Sequence, residues 1–257
     1  LAIGLGNLAY QQIAIGDLEA AESNLRRAIR LSQEIEAEED VATWHQGLAQ
    51  LLAYQAKFSE SEKELADAMK GFVATERLDI EVAREWQGIV WAYRALRSLL
   101  MEDADKALKE ALRARELADD RHYELDIIWA EWLLGAVFLA RGDLKQSESH
   151  LNEALSRDRR INLVEIEPDI LLALAKLRFS QGHKEEAENL AKEALEIAER
   201  CGYRLKQADI HNFLAEFYLA SKDKAKAKEH LELARERAAC GYVPALNKAN
   251  QLDFRAF

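Results

Sequence analysis

The sequence has very little of the residues that break helices or build hairpins. Only 2 of its 257 residues are proline and 11 are glycine. These residues punctuate most turns, whereas the abundant Ala, Leu, Glu, Lys and Arg are all strong helix formers. We therefore predict no strand and an all-α fold, with material for a long, continuous helical core.

The chain also lacks a basic excess and a long apolar run. Its 35 Lys and Arg residues stand against 46 Asp and Glu residues, which gives a formal net charge of −11. A phosphate backbone requires a concentrated basic surface, but here the basic residues alternate with acidic ones at helical spacing. No segment approaches the roughly 18 apolar residues of a membrane span. We predict no nucleic-acid partner and no membrane partner.

Cysteine is scarce as well. Cys201 and Cys240 both stand in a Cys-Gly-Tyr triplet. Equivalent places in stacked repeats are neighbours, so the sequence leaves a disulfide open. Two thiols in a chain of this size are nevertheless more typical of a reduced protein, and we predict a cytoplasmic one. The chain starts at Leu1 without a signal-peptide pattern, and we expect it to be a fragment of a longer protein.

Motifs for catalysis, cofactors and metals are missing from the sequence. There is no Gly-rich phosphate loop, and a lone Gly-x-Gly at Gly4 and Gly6 lies inside a helical pattern. The six histidines form no His-x3-His or His-Glu-x2-His pair. His45 and His211 occupy the same position in distant repeats, and we interpret them as structural or surface residues. We predict no enzyme activity, no cofactor and no metal.

What the sequence does contain is a pattern that recurs every 40 or 43 residues. In each copy an Ala follows three residues after Leu, or after Ala in one copy, and these alanines are Ala28, Ala68, Ala111, Ala154, Ala194 and Ala234. Nineteen residues earlier stands another small residue, behind a large apolar one: Ala9, Ala49, Ala92, Gly135, Ala175 and Ala215. Small side chains allow two helices to cross closely. The pattern predicts one helical hairpin per copy.

Turn signals lie between the two sets of small residues. Gly16-Asp17, Gly142-Asp143 and Gly182-His183 each end one helix and begin the next. Neighbouring hairpins would bury each other's apolar faces. We place the repeats, in a single domain, at about 1–39, 40–79, 80–122, 123–165, 166–205 and 206–241, with a C-terminal helix over 242–257.

The order of a large apolar residue and a small one, then Gly-Asp-Leu, then small, Leu and Ala resembles the tetratricopeptide repeat across essentially the whole chain. The family's usual unit is about 34 residues, so repeats of 40 and 43 residues are a departure. The longer unit is similar to arrays in bacterial signal-transduction ATPases with numerous domains, including maltose-regulon-activator-like regulators. The resemblance implies a right-handed α-solenoid of about six helix-turn-helix repeats plus the C-terminal helix.

The resemblance also implies a concave, ligand-binding face lined by the first helix of each repeat. With the small residue as the eighth position, the inward positions are the second, fifth, ninth and twelfth. They give an aromatic centre with a polar rim, which is typical of a binding hot spot. The predicted site for a protein or peptide comprises Gln46, Gln50, Trp86, Tyr93, Trp129, Trp132, Lys176, Asn212 and Glu216.

Two alternatives for this face follow from the same positions. The tryptophans could instead pack helix on helix in a wide core, and full burial of Trp129 and Trp132 would favour that interpretation. A clamp for a C-terminal carboxylate, as in tetratricopeptide co-chaperones, is not expected. Asn7 could match one of its residues, but no Lys or Arg stands at a second or fifth position.

The sequence is compatible with three functions. The chain could be the sensor or partner-binding arm of a multidomain signalling regulator, which is the reading we favour. It could also be a free-standing receptor for a peptide signal, or a passive scaffold that holds an assembly together. A phosphate-loop domain upstream in the full reading frame would favour the first function over the other two.

Overall fold

The computed structural model describes residues 1–75, 80–121 and 123–256, which fold into thirteen α-helices without a strand, so the all-α prediction is confirmed. The helices are α1 (Ala2–Ile15), α2 (Leu18–Glu34), α3 (Glu38–Tyr54), α4 (Phe58–Thr75), α5 (Ile80–Leu100), α6 (Ala104–Arg121), α7 (Glu124–Ala140), α8 (Leu144–Ile161), α9 (Glu167–Ser180), α10 (Lys184–Arg200), α11 (Arg204–Ala220), α12 (Lys224–Ala238) and α13 (Val243–Ala256). Consecutive helices pack as antiparallel pairs, and each pair packs on the next, as in an α-solenoid.

The turns inside the hairpins form where the sequence predicts them. Gly16, which ends α1, has a φ of 82°, and Gly142 has a φ of 79°. Glycine adopts this left-handed conformation without steric cost. The side chains of Asp17 and Asp143 then cap the following helices by accepting backbone N–H groups at 3.4 and 3.1 Å. These turns are short, so the two helices of a hairpin stay in contact along their length.

The small residues of the repeat pattern lie at the helix crossings. Ala49, Ala175 and Ala215 are fully buried. At Gly135 an added Cβ would stand 2.5 Å from the side chain of Leu151 on the partner helix. Such a distance leaves no room for a methyl group. The crossing distance of each hairpin is therefore set by the absence of a large side chain at this position.

A second contact within the hairpins joins residues nineteen positions apart in alternate repeats. The pairs, all made through a histidine Nδ1 atom, are His45–Glu64 at 2.5 Å, Glu131–His150 at 2.6 Å and His211–His230 at 3.0 Å. The last pair has no carboxylate. His230 stacks on Tyr218 instead, with ring centroids 5.4 Å apart and planes 9° from parallel. His45 and His211 therefore help to hold the two helices of their hairpins together.

The solenoid curves until its first hairpin meets α11 and α13. Leu18 packs in the same buried cluster as Leu205 and Tyr242. The ring of Tyr54 meets that of Tyr242 edge to face, with centroids 5.3 Å apart. We call this group the closure contact: Ile13, Leu18, Tyr54, Leu205 and Tyr242. It turns the concave face into the wall of a partly enclosed space.

The remaining sequence predictions can be placed on this fold. Helices α3 and α11 begin two residues before the predicted repeat boundaries at 40 and 206, while the boundaries at 79/80 and 122/123 lie outside the described residues. The division into six repeats stays a prediction. Cys201 and Cys240 are both free thiols. None of the helices in the described ranges combines the length and apolarity that crossing a bilayer would require.

The crossing at Gly135 can be tested with a pair of glycine substitutions. We expect Gly135→Ala to lower the free energy of unfolding by about 1–3 kcal/mol, because the methyl group overlaps Leu151. Gly4→Ala, with no atom within 4 Å of its added Cβ, is the matched control and should be neutral or stabilise by up to about 1 kcal/mol. Urea unfolding followed by circular dichroism measures both. Equal effects would contradict the crossing as described.

The His211–His230 pair predicts a loss of stability at acidic pH. Burial, with the neighbouring His230 and Arg237, lowers the pKa of His211 to about 4, and burial also lowers the pKa of His230. An unfolded histidine titrates near pH ~6.5, so between about pH 6.5 and 4 the unfolded chain binds more protons than the folded one. The free energy of unfolding should therefore fall as the pH is lowered through this window.

Between pH 7 and 4.5, we expect the free energy of unfolding of His211→Gln to fall by roughly 2 kcal/mol less than that of the wild type, since each pKa unit corresponds to about 1.4 kcal/mol. The control is His183→Gln, whose side chain is 61% exposed and which should behave as the wild type. Unfolding in urea at a series of pH values measures the slope. An unchanged slope in His211→Gln would show that this pair does not sense pH.

Candidate functional site

A cavity of about 890 Å³ lies on the concave side of the solenoid, which the closure contact brings together. We call it the central cavity. The ninth position of all six predicted repeats contributes to its wall, through Tyr10, Gln50, Tyr93, Ala136, Lys176 and Glu216. From the last three repeats the second and fifth positions contribute too, namely Trp129, Trp132, Asp169, Leu172, Asp209 and Asn212. Residues far apart in sequence therefore face one partly enclosed space.

Seven of the nine predicted site residues line the central cavity: Gln50, Tyr93, Trp129, Trp132, Lys176, Asn212 and Glu216. Gln46 and Trp86 lie away from it. Gln46 is only 2% exposed. The ring of Trp86 stacks on Phe72 with centroids 5.6 Å apart. Gln46 and Trp86 thus face neighbouring helices. The binding role of all nine residues stays a prediction.

Three of the lining residues form an aromatic wall: Tyr93, Trp129 and Trp132. Trp129 meets Tyr93 and Trp132 edge to face, with centroids 5.8 and 5.6 Å apart. Both tryptophans are half-buried, and they also pack on the core between α7 and α9. They are therefore not the fully buried residues that a purely structural role requires. Edge-to-face packing fixes the rings and leaves part of each toward the cavity.

The central cavity has a second aromatic group of three tyrosines, two of which the sequence analysis missed. Tyr10 donates a hydrogen bond to the carbonyl of Thr43 at 3.1 Å. Tyr54 and Tyr242 meet in the closure contact, and the Tyr242 hydroxyl donates to Asp209 Oδ2 at 2.7 Å. Burial raises the pKa of Tyr54 and of Tyr242, so both hydroxyls stay neutral. Tyr54 and Tyr242 lie outside the inward positions used for prediction, which is why they escaped it.

The lining of the cavity also carries charged side chains. Five carboxylates and three lysines line it: Glu102, Glu165, Asp169, Asp209 and Glu216 with Lys176, Lys206 and Lys248. Lys206 forms an ion pair with Asp169, and Lys248 pairs with Glu216 at 3.1 Å. Over the residues that can be described, Lys176 forms no ion pair. The lining therefore has an excess of negative charge with one lysine available to a ligand.

The surroundings of Asp209 shift its pKa. Burial raises its pKa to about 6, against the opposing effects of Lys176 and of the hydrogen bond from Tyr242. Asn212, on the next turn of α11, donates to the carbonyl of Ala245 at 2.9 Å and is 3% exposed. Asn212 thus holds α13 against α11 through its amide nitrogen, while its Oδ1 has no hydrogen-bond partner among the described residues.

No metal centre is formed by the part of the chain that the structure describes, since no three His, Cys, Asp or Glu side chains converge there. Three pairs of polar side chains hold one another in the cavity, namely Lys206–Asp169, Lys248–Glu216 and Tyr242–Asp209, and the aromatic wall offers apolar surface. The arrangement can accept an apolar side chain together with polar or charged groups. It is the composition of a ligand pocket, mainly apolar with a few placed polar groups.

Comparison with known proteins adds a family model and a set of related folds. A tetratricopeptide-repeat model matches residues 168–201, which cover most of α9 and α10. No curated protein matches the sequence. The likeness to ATPase arrays is not shown by these matches and stays a prediction.

Among solved structures, the apo form of RapI is 14% identical with a TM-score of 0.62 over 93% of this chain and 98% of that chain. Aspartyl phosphate phosphatase F from Bacillus subtilis is 10% identical, with a TM-score of 0.64 over 91% of this chain and 69% of that one. A Rap protein complexed with competence and sporulation factor is 14% identical, with a TM-score of 0.58 over 94% and 78%. At these identities the likeness is one of fold.

Proposed function

We propose that this chain, whose residues 168–201 match a tetratricopeptide-repeat model, is an array of such repeats and that its central cavity binds a short peptide segment through a large apolar side chain. The observation that carries the proposal is the convergence of the ninth positions of six repeats, with the aromatic wall, on one cavity. Aromatic residues in a partly enclosed, desolvated place are typical of binding hot spots.

The volume of the cavity limits the size of its occupant. About 890 Å³ lies within the range of small-ligand pockets, roughly 300–1,000 Å³. A folded domain cannot enter such a space, whereas a few residues of an extended peptide can. This favours a peptide signal or a protruding segment of a partner over a broad protein–protein interface.

The wider role we propose is that of a partner-binding arm in a multidomain signalling regulator in the cytoplasm. The net charge of −11 argues against a nucleic-acid partner. A structural neighbour complexed with competence and sporulation factor supports ligand binding by a fold of this kind. One neighbour is named as a phosphatase, but the sequence here contains no catalytic motif, and we propose binding without catalysis. A domain with a phosphate loop in the full reading frame would support this role over a free-standing receptor or scaffold.

The proposal is tested by selecting peptides from a random dodecapeptide display library against the wild-type chain. We expect the selected peptides to share a large apolar residue. Trp129→Ala/Trp132→Ala should weaken their binding by at least about 30-fold, because truncating one hot-spot residue costs about 2 kcal/mol or more. Fluorescence polarisation with labelled peptides measures the affinities, and circular dichroism verifies that helicity is kept.

The matched control is Leu112→Ala/Tyr123→Ala, which truncates two large side chains that are 51% and 44% exposed and lie outside the cavity lining. It should bind as the wild type does. If the tryptophan variant keeps wild-type affinity for every selected peptide, the central cavity is not the binding site. Where the tryptophan variant does lose affinity, both variants can be incubated with a native lysate. The natural partner is the protein or peptide that Leu112→Ala/Tyr123→Ala retains and Trp129→Ala/Trp132→Ala loses.

A further inference from the structure

We propose that the ligand carries an amine or guanidinium group, which lies against the ring of Tyr54 and beside the carboxylate of Asp209, which the hydroxyl of Tyr242 holds in place. This inference rests on the proposed function and names the chemistry of a second contact in the same cavity. We call these three residues the cation subsite. A positively charged group provides both the ring contact and the counter-charge that this place lacks.

The geometry of the cation subsite is fixed by the closure contact. The rings of Tyr54 and Tyr242 stand edge to face at 5.3 Å, and the Tyr242 hydroxyl holds Asp209 Oδ2 at 2.7 Å. No described donor reaches Asp209 Oδ1, which remains free to accept from a ligand. A cation is attracted to an aromatic face within about 6 Å of its centroid. Because Tyr242 is only 3% exposed, the subsite combines the half-buried ring of Tyr54 with one available carboxylate oxygen.

The charges around this place leave Asp209 without a full partner. Lys206 is paired with Asp169, and Lys248 is paired with Glu216. Glu165 also lines the cavity and adds negative charge. Lys176 acts on Asp209 only through space, without an ion pair. Since five carboxylates and three lysines line the whole cavity, a ligand with a positive charge reduces the excess of negative charge, whereas a ligand carboxylate would increase the repulsion.

The elements that hold the cation subsite differ from those that hold the aromatic wall. Tyr54 ends α3, Asp209 lies on α11 and Tyr242 directly precedes α13, while the aromatic wall lies on α5 and α7. One ligand that contacts both must therefore carry a large apolar group and a basic group at separate points. A short peptide with an aromatic or aliphatic residue and a Lys, an Arg or a free amino terminus has this chemistry.

The test compares each peptide selected from the display library with two analogues. In one, Arg is replaced by citrulline or Lys by norleucine; in the other, the amino terminus is acetylated. We expect one of these neutral analogues to bind the wild-type chain at least tenfold more weakly. Asp209→Asn, which can still accept from Tyr242, should bind charged and neutral forms with equal, reduced affinity. The matched control is Glu188→Gln, since Glu188 accepts from the Tyr218 hydroxyl at 2.7 Å outside the cavity.

The pH dependence of binding gives an independent readout. The pKa of Asp209 is about 6, because burial and the nearby Asp169 raise it more than Lys176, Lys206 and the hydrogen bond from Tyr242 lower it. A cation binds the ionised carboxylate, so affinity should fall about tenfold between pH 7.5 and 5, as the ionised fraction does. Asp209→Asn should remove that fall and leave any decline that comes from stability, while Glu188→Gln should retain it.

The outcomes separate this inference from the proposed function. Peptides that lose binding in Trp129→Ala/Trp132→Ala but bind equally in charged and neutral forms would overturn the cation subsite and leave the peptide cavity in place. Equal discrimination against neutral analogues by Asp209→Asn would overturn it as well. A library that yields no cavity-dependent peptide would overturn both.

Discussion

The close crossing of two helices at a small residue is the constraint on which this molecule depends. With Ala or Gly at the eighth position of each first helix, the partner helix approaches until side chains such as Leu151 touch backbone. The tight hairpin in turn places the ninth position on the inner side. Because the same relation recurs six times, one local rule determines which residues face the central cavity.

This local rule is the part of the structure that could be predicted from sequence. The hairpins, the turn glycines and the inward ninth positions depend on interactions within about 40 residues. The repeat pattern in the sequence is therefore sufficient to predict them. The curvature of the solenoid depends on small angles between successive hairpins, which no single position encodes. The closure contact, and with it the roles of Tyr54, Tyr242 and Asp209, was therefore beyond prediction. The inward place of Asp209 was predictable, but its pairing with Tyr242 was not.

Gln46 and Trp86 show how the same limit affects individual positions. Both occupy positions that face inward in other repeats, yet Trp86 packs on Phe72 and Gln46 is buried between helices. A second or fifth position lies near the border between the concave face and the contact with the next hairpin. Small changes in the angle between hairpins decide on which side of that border it falls. The ninth position lies at the middle of the face and tolerates these changes.

The closure contact also changes how the chain would be expected to fold. An open solenoid has mostly local contacts, so its hairpins can form and melt separately. Here Tyr54 contacts Tyr242, which lies 188 positions later in the chain. Forming this contact costs the entropy of joining two distant parts of the chain. The joining of the two ends links distant hairpins into one cooperative unit. A solenoid closed in this way should therefore unfold as a whole rather than fray from its ends.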